Sequence, residues 1–338
     1  MPWSTASIMG SGAVRQSASG DACCASVAWP TSEPVTADTS TAAGLACVVN
    51  VSEGQDEAVL ADLSAAAGDC LLDVHRDWFH HRSVLTLGSL DPLVLQDAVR
   101  ALAAKAVALV DLTAHHGAHP RSGAVDVVPF VPLLGADGRP AGPDDDLGTA
   151  LAAREDFAGW AAQSLGLPCF FYGPERTLPE LRRQAFAALS PDRGPTAPHR
   201  SAGWCAVGAR PALVAFNVWL DSNDVDSARQ IAAELRRPGI RALGFDVGGQ
   251  AQVSCNLVDP YSVGPADVVT LVEAMAGTRH LAVERAELVG LVPARVLEHT
   301  PADQWARCDL GPERTVEARL RRVALDRRAA LPSSGVSG

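Results

Sequence analysis

The sequence predicts an α/β protein of the α+β sandwich type, organised as two successive α/β sub-domains. Short β-branched apolar runs alternate with segments of helical period, and the alternation passes through twice, in two similar batches. Size agrees, since 338 residues at 47% hydrophobic suffice for one large domain or two modest ones. The same composition excludes a wholly disordered chain, a collagen-like chain and a small disulfide scaffold.

Residues 1–44 are mostly Ser, Thr, Ala and Gly, cannot bury enough apolar surface to offset the entropy of ordering, and are expected to be a disordered tail. The pattern changes at Leu45. Residues 45–51 (LACVVNV) read as a strand, and 55–67 as a helix through Val59, Leu60, Leu63 and Ala66. Ser52 is the expected N-cap, with Glu53 in the first turn. Residues 70–74 and 83–87 read as strands separated by HRDWFHH. Residues 92–112 read as a buried helix, with Pro92 in its first turn. A strand at 125–131, a Gly/Pro/Asp loop at 134–146, a helix at 149–165, a strand at 169–172 and a helix at 178–189 follow. Residues 190–203 are too rich in Pro and Gly for either element.

The second batch comprises strand 212–220, helix 225–236, strands 242–247 and 251–258, helix 266–276, strand 288–292 and a last helix at 313–326. The seam between batches falls near 208–211.

The net charge of −11, without any long Lys/Arg run, opposes a nucleic-acid or anionic-membrane partner. Lys105 is the single lysine among 28 basic residues, so the arginine excess reflects composition and is no evidence of an anion site. Eight cysteines include no Cys-x-x-Cys pair and read as buried thiols of a reducing compartment. With no run of about 18 apolar residues and no signal-peptide pattern, the expected location is cytoplasmic.

Six of the nine histidines fall between His75 and His119. Those in DLTAHHGAHPRSGAVDVVPF sit in a loop shaped by Gly117, Pro120 and Gly123. Imidazole suits proton transfer near neutral pH, and Arg121, two residues beyond His119, suits a carboxylate. Together they fit acyl-like or amidine transfer; satisfied loop hydrogen bonds are the plainer alternative. The segment HRDWFHH invites a metal reading, yet its spacing matches no established ligand motif, and no metal is expected. The loop at 194–203 suits close backbone approach to a ligand or a linker between halves.

Several of these segments together resemble the glutamate formiminotransferases, the N-terminal transferase part of formiminotransferase-cyclodeaminase. They are VVNVSEG from Val48, LLDV from Leu71, HHGAHPRSGAVDVVPFVPL from His115, RTLPELR from Arg176, GPTAPHRSAG from Gly194, ALVAFNVWL, AQVSCNL from Ala251 and ELVGLVP from Glu287, in matching order over about residues 45–325. The resemblance implies two α/β sub-domains, 45–209 and 210–330, whose mixed sheets face each other across a ligand cleft, followed by a flexible tail at 331–338. It implies that His119 is catalytic and that Gly194, Pro195, Thr196, Ala197, Pro198, His199, Arg200, Ser201, Ala202 and Gly203 lie against tetrahydrofolate, the co-substrate.

The implied reaction moves a formimino group from N-formimino-L-glutamate to nitrogen 5 of tetrahydrofolate, as in histidine degradation, in a homodimer. Arg82 and Arg121 are the candidates for the carboxylates of substrate or folate. The chain ends about where the transferase part would, so no deaminase half is expected.

This chain departs from the vertebrate pattern at His75, His81, Ala118, Gln184 and Ala185. These departures surround the expected pocket and bear on the donor and acceptor. Two alternative functions follow: a metal-dependent hydrolase of formimino compounds using His75, His80, His81, His115 and His119, and a catalytically silent folate-binding protein.

Overall fold

Alternate residues of Leu45–Val51 (β1) enter one buried cluster: Leu45, Cys47, Val49 and Val51 pack among Glu57–Ala67 (α1), Pro92–Leu109 (α2) and Gly148–Leu165 (α3). The intervening Ala46 and Asn50 are buried and Val48 is partly buried on the opposite side, along cavities shared with the second half of the chain. The strand therefore has two buried faces, which explains its nearly continuous apolar sequence.

The computed structural model describes residues 44–117, 121–135, 139–142 and 144–330, without side chains for the last four. The expected tails, save Gly44, and the expected catalytic His119 lie outside the described residues.

β1 lies inside a six-stranded sheet with Leu71–Asp77 (β2), Arg82–Ser89 (β3), Val125–Pro132 (β4), Cys169–Tyr172 (β5) and Cys205–Ala209 (β6), in the order β2-β3-β1-β4-β6-β5. The β2–β3, β1–β3 and β1–β4 pairings are antiparallel; β6 runs parallel to both β4 and β5. Between Asn50 and Val51 the β1–β4 register shifts, so that Asn50 faces Val127 and Val51 faces Val125. Asp126 is the extra residue of this bulge, a device that re-aims a side chain. Leu178–Gln184 (α4) covers the other face of this sheet through Leu181, over Val127, Phe170, Tyr172 and Ala206.

The second sheet contains Val214–Leu220 (β7), Ile240–Val247 (β8), Gln250–Leu257 (β9) and Val283–Val289 (β10), in the order β10-β7-β9-β8. Parallel pairing is confined to the first sheet; each pairing here is antiparallel. Val225–Leu235 (α5) and Pro265–Gly277 (α6) close its outer face over Phe216, Val218, Val253 and Cys255. The layers thus run helices, sheet, sheet, helices, with the inner faces of the sheets opposed across a cleft. Val316–Ala330 (α8) returns to β2, where Arg319 reaches Asp73 at 3.7 Å.

Gly248 and Gly249, at φ 63° and 87°, form the two-residue β8–β9 turn that requires positive φ. A Cβ on Gly248 would enter the Phe79 ring, which belongs to the β2–β3 turn of the first sheet.

Several boundaries differ from the sequence reading, each for a local reason. α1 is capped by Asp56, which accepts from the Ala58 and Val59 amides at 2.8 and 3.1 Å, and not by Ser52. Ser52 instead continues the β1–β4 edge, its hydroxyl donating to the Gly123 carbonyl at 2.8 Å. α4 stops at Gln184 because Phe186 adopts φ 58° and breaks the helical path. β6 and the short helix Ala294–Glu298 (α7) went unpredicted, and β10 begins five residues before its expected start at 288.

Candidate functional site

The opposed sheet faces enclose a cavity of about 490 Å³. Val48 and Asn50 of β1, Arg82, Val84 and Thr86 of β3 and Val127 and Pro129 of β4 form one wall; Ala215, Arg241, Asn256 and Val289 belong to the other. α4 and the segment before it add Arg176 and Arg182, and Arg210 enters from the connection between the halves. Among the described residues five guanidinium groups therefore line this cavity and no carboxylate does, in a chain of net charge −11.

Partners fix several of these arginines. Arg176 holds Asp192 with both terminal nitrogens, at 3.0 and 3.2 Å. Arg182 reaches the bulge residue Asp126 at 2.5 Å, and that carboxylate, almost fully buried, also accepts from the Ser122 amide at 2.7 Å. Arg82 donates to the Asn50 carboxamide oxygen. Burial in the cavity wall lowers the Arg82 pKa to about 10, with Asp126 opposing the shift. Burial likewise pushes the Tyr172 phenol up to about 12, so it remains a neutral wall group.

At one end the cavity continues into a smaller chamber of about 80 Å³, with which it shares Arg82, Val84, Ala215, Asn256 and Val289. This chamber adds His75, Asp77 and His80 from the β2–β3 hairpin and Asn217 and Ser254 from the second sheet. Asp77 accepts from the His80 backbone amide at 2.7 Å and meets His80 Nδ1 at 2.6 Å. Burial alone would raise the Asp77 pKa, but these hydrogen bonds hold it below the ordinary carboxylate value. His75 Nε2 lies 3.7 Å from Glu287 Oε1, and Glu287 Oε2 accepts from Trp219 Nε1 and Asn217 Nδ2 at 3.0 and 3.2 Å.

His81 and His115 of the cluster line neither chamber. His81, at φ 48°, stacks on His115 with centroids 3.8 Å apart, and its ring meets Glu53 and the His116 carbonyl. Arg121 contacts the His115 ring and donates to the His80 carbonyl at 3.3 Å. Among the described residues no group of three or more His, Cys, Asp or Glu side chains is placed to hold a metal ion. The six described cysteines are buried and unpaired in disulfides, with the Cys169 and Cys255 thiols pushed up to about 12 by burial, which makes them inert.

Of the sequence-predicted residues, Arg82 lies in the walls of both chambers. Arg121 and the loop 194–203 line neither. That loop packs against Leu112, Gly123 and Ala124: Ser201 accepts from the Leu112 amide at 2.8 Å, Ala202 from the Ala124 amide at 2.9 Å, and Gly203 bridges Gly123. Gly194 to Pro198 are exposed. Arg182, Arg210, Arg241, Asp126, Asn217 and Gln252 were not singled out from the sequence. Their residue types carry no signal until the two sheets are stacked.

No helix among the described residues is long and apolar enough to cross a membrane. Residues 44–210 match the model of the "Formiminotransferase domain, N-terminal subdomain". The chain is 35% identical to a glutamate formimidoyltransferase of Streptococcus pyogenes serotype M1 over 252 residues, covering 68% of this chain and 81% of that one. It is 30% identical to a glutamate formimidoyltransferase of Thermoplasma acidophilum, covering 67% and 79% respectively. A formimidoyltransferase-cyclodeaminase of Sus scrofa is 34% identical over 258 residues, which are 68% of this chain and 46% of that protein.

Proposed function

The chain belongs to the formiminotransferase family, and from that premise we propose that it moves a formimino group from N-formimino-L-glutamate to nitrogen 5 of tetrahydrofolate. The observation that carries the choice of ligands is the arginine-lined cavity. Its volume of about 490 Å³ falls in the range of small-molecule sites, and its five lining guanidinium groups, of which Arg176 and Arg182 are engaged by Asp192 and Asp126, suit ligands bearing carboxylates. Both proposed substrates end in glutamate.

In this reading nitrogen 5 attacks the amidine carbon, a tetrahedral adduct forms, and the glutamate nitrogen must leave protonated. His119 accepts the proton from nitrogen 5 and returns one to the leaving amine, a role worth about 10² to 10⁴ in rate. Arg82 holds a carboxylate from the cavity wall, and Arg121, which lines neither chamber, is the second candidate. The loop 194–203 contributes the folate contacts that the family resemblance assigns to it.

Purified protein is assayed with N-formimino-L-glutamate and tetrahydrofolate, following the folate product by its absorbance, beside His119→Ala. Turnover by the parent that disappears in the variant supports both the reaction and the residue. Tetrahydrofolate binding without turnover keeps the folate site and overturns the donor. Absence of both removes the reading.

A further inference from the structure

Among the described residues the large cavity is lined by arginines but by no histidine or carboxylate. Both residue types line the smaller chamber beside it. There His80 is buried at 6% exposure, set edge-on to Phe245 with centroids 5.3 Å apart, and fixed twice by Asp77 through ring and backbone. A carboxylate that accepts from an imidazole and from that residue's own amide orients the ring as the third member of a catalytic triad does. Since ionised Asp77 only accepts, Nδ1 carries the hydrogen and proton exchange runs through Nε2.

The opposite wall is polar too, with Asn217, Ser254 and Asn256. On the same face of β9, Gln252 is fully buried with neither carboxamide atom hydrogen-bonded among the described residues. A buried amide in that condition costs about 1–3 kcal/mol and is normally retained for a polar partner.

We propose that His80, oriented by Asp77, is a catalytic residue that exchanges a proton with the nitrogen leaving the one-carbon unit, and that the small chamber holds that nitrogen. This rests on the transfer reading above and amends it at one point: the proton given to the donor nitrogen comes from His80 and not from His119, which keeps the proton taken from nitrogen 5.

The balance is simple. The acceptor nitrogen forms a bond to the amidine carbon as the C=N electron pair moves onto nitrogen, and gives up its own proton to a base. The pair held on the imino nitrogen then re-forms C=N as the bond from carbon to the donor nitrogen breaks. The donor nitrogen leaves with the electron pair of that broken bond and takes a proton from His80. Nothing is oxidised or reduced, and exchange with water returns each imidazole to its starting state.

The test uses the full chain with the two proposed substrates, comparing the parent with His80→Ala, His80→Gln and Asp77→Asn. Tetrahydrofolate binding is followed by tryptophan fluorescence and folding by circular dichroism. We expect kcat of both His80 variants to fall at least about 100-fold, with KM and folate affinity within about threefold of the parent. Added imidazole should restore His80→Ala by about tenfold or more, because it re-supplies the missing proton donor, and Asp77→Asn should lose about tenfold. A folded His80→Gln with kcat within about threefold of the parent overturns the proposal while leaving the transfer reading intact. Loss of rate in His80→Ala that imidazole does not restore, together with lost folate binding, assigns His80 to structure and also overturns it. A parent that turns over neither substrate pair removes the transfer reading, and the proposal with it.

Discussion

Glu287 of β10 and His75 of β2 meet across the cleft at 3.7 Å, joining the edge strands of two sheets that have separate cores. The two partners are unequally committed. Glu287 also accepts from the Trp219 indole and the Asn217 amide, whereas His75 is held by β2. Glu287→Ala, which leaves two donors without an acceptor, is expected to cost about 1–3 kcal/mol. His75→Ala should cost less, and the coupling between them in a double-mutant cycle should stay below about 1 kcal/mol, as for a partly exposed pair. Urea unfolding of the four proteins checks this; equal losses for the two single variants would contradict it.

The Arg182–Asp126 pair behaves differently because Asp126 is almost fully buried at the β4 bulge. Arg182→Gln strands a carboxylate and is expected to destabilise by about 3–5 kcal/mol. Adding Asp126→Asn should recover a large part of that loss. Thermal unfolding decides, and a double variant no more stable than Arg182→Gln would refute the account.

Asp77 yields a pH dependence of known sign. Its folded pKa lies below the unfolded value of about 3.9. Its contribution to stability is therefore complete above the unfolded value and is lost as pH falls through the folded one. Asp77→Asn should be less stable than the parent at neutral pH, and the gap should close on acidification below about pH 4. A gap that is constant across that window, measured by urea unfolding, would exclude this origin.

Arg82 and Arg121 should separate in kinetics. Arg82 lines both chambers, while Arg121 lines neither. Lysine keeps the charge and loses the planar fork, so Arg82→Lys is expected to raise KM about tenfold, and Arg121→Lys less. Steady-state kinetics with the formimino donor and tetrahydrofolate varied in turn provide the comparison, and a larger effect at Arg121 would reverse the ranking.

The two batches of alternating elements were legible because each strand feeding a helix leaves a distinct period. β1, α2, α3 and β7 follow it closely, down to Pro92 in the first turn of α2. β6 was hidden because CAVGA is short, small in volume and adjoins a Pro/Gly-rich loop, so that its burial derives from flanking strands and not from its own pattern. β10 was displaced because Glu284, Arg285 and Glu287 interrupt its apolar character. Arg82 stood out as the cation that follows the histidine-rich segment HRDWFHH. Arg241 and Arg210 did not, for they become neighbours of Arg82 only when one sheet is laid on the other. The Asp77–His80 pair spans three residues and still escaped notice, since only the tight β2–β3 turn reveals that the two side chains converge.

The double burial of β1 has an evolutionary corollary. Leu45, Cys47, Val49 and Val51 answer to the helical layer, while Val48 and Asn50 between them answer to whatever enters the cleft. Selection on ligand choice and selection on folding thus act on interleaved letters of one short word, with little shared vocabulary. Substitutions on the cleft face can therefore alter the chamber without unseating the core beneath. A one-residue slip of the strand would exchange the two sets and forfeit both at once.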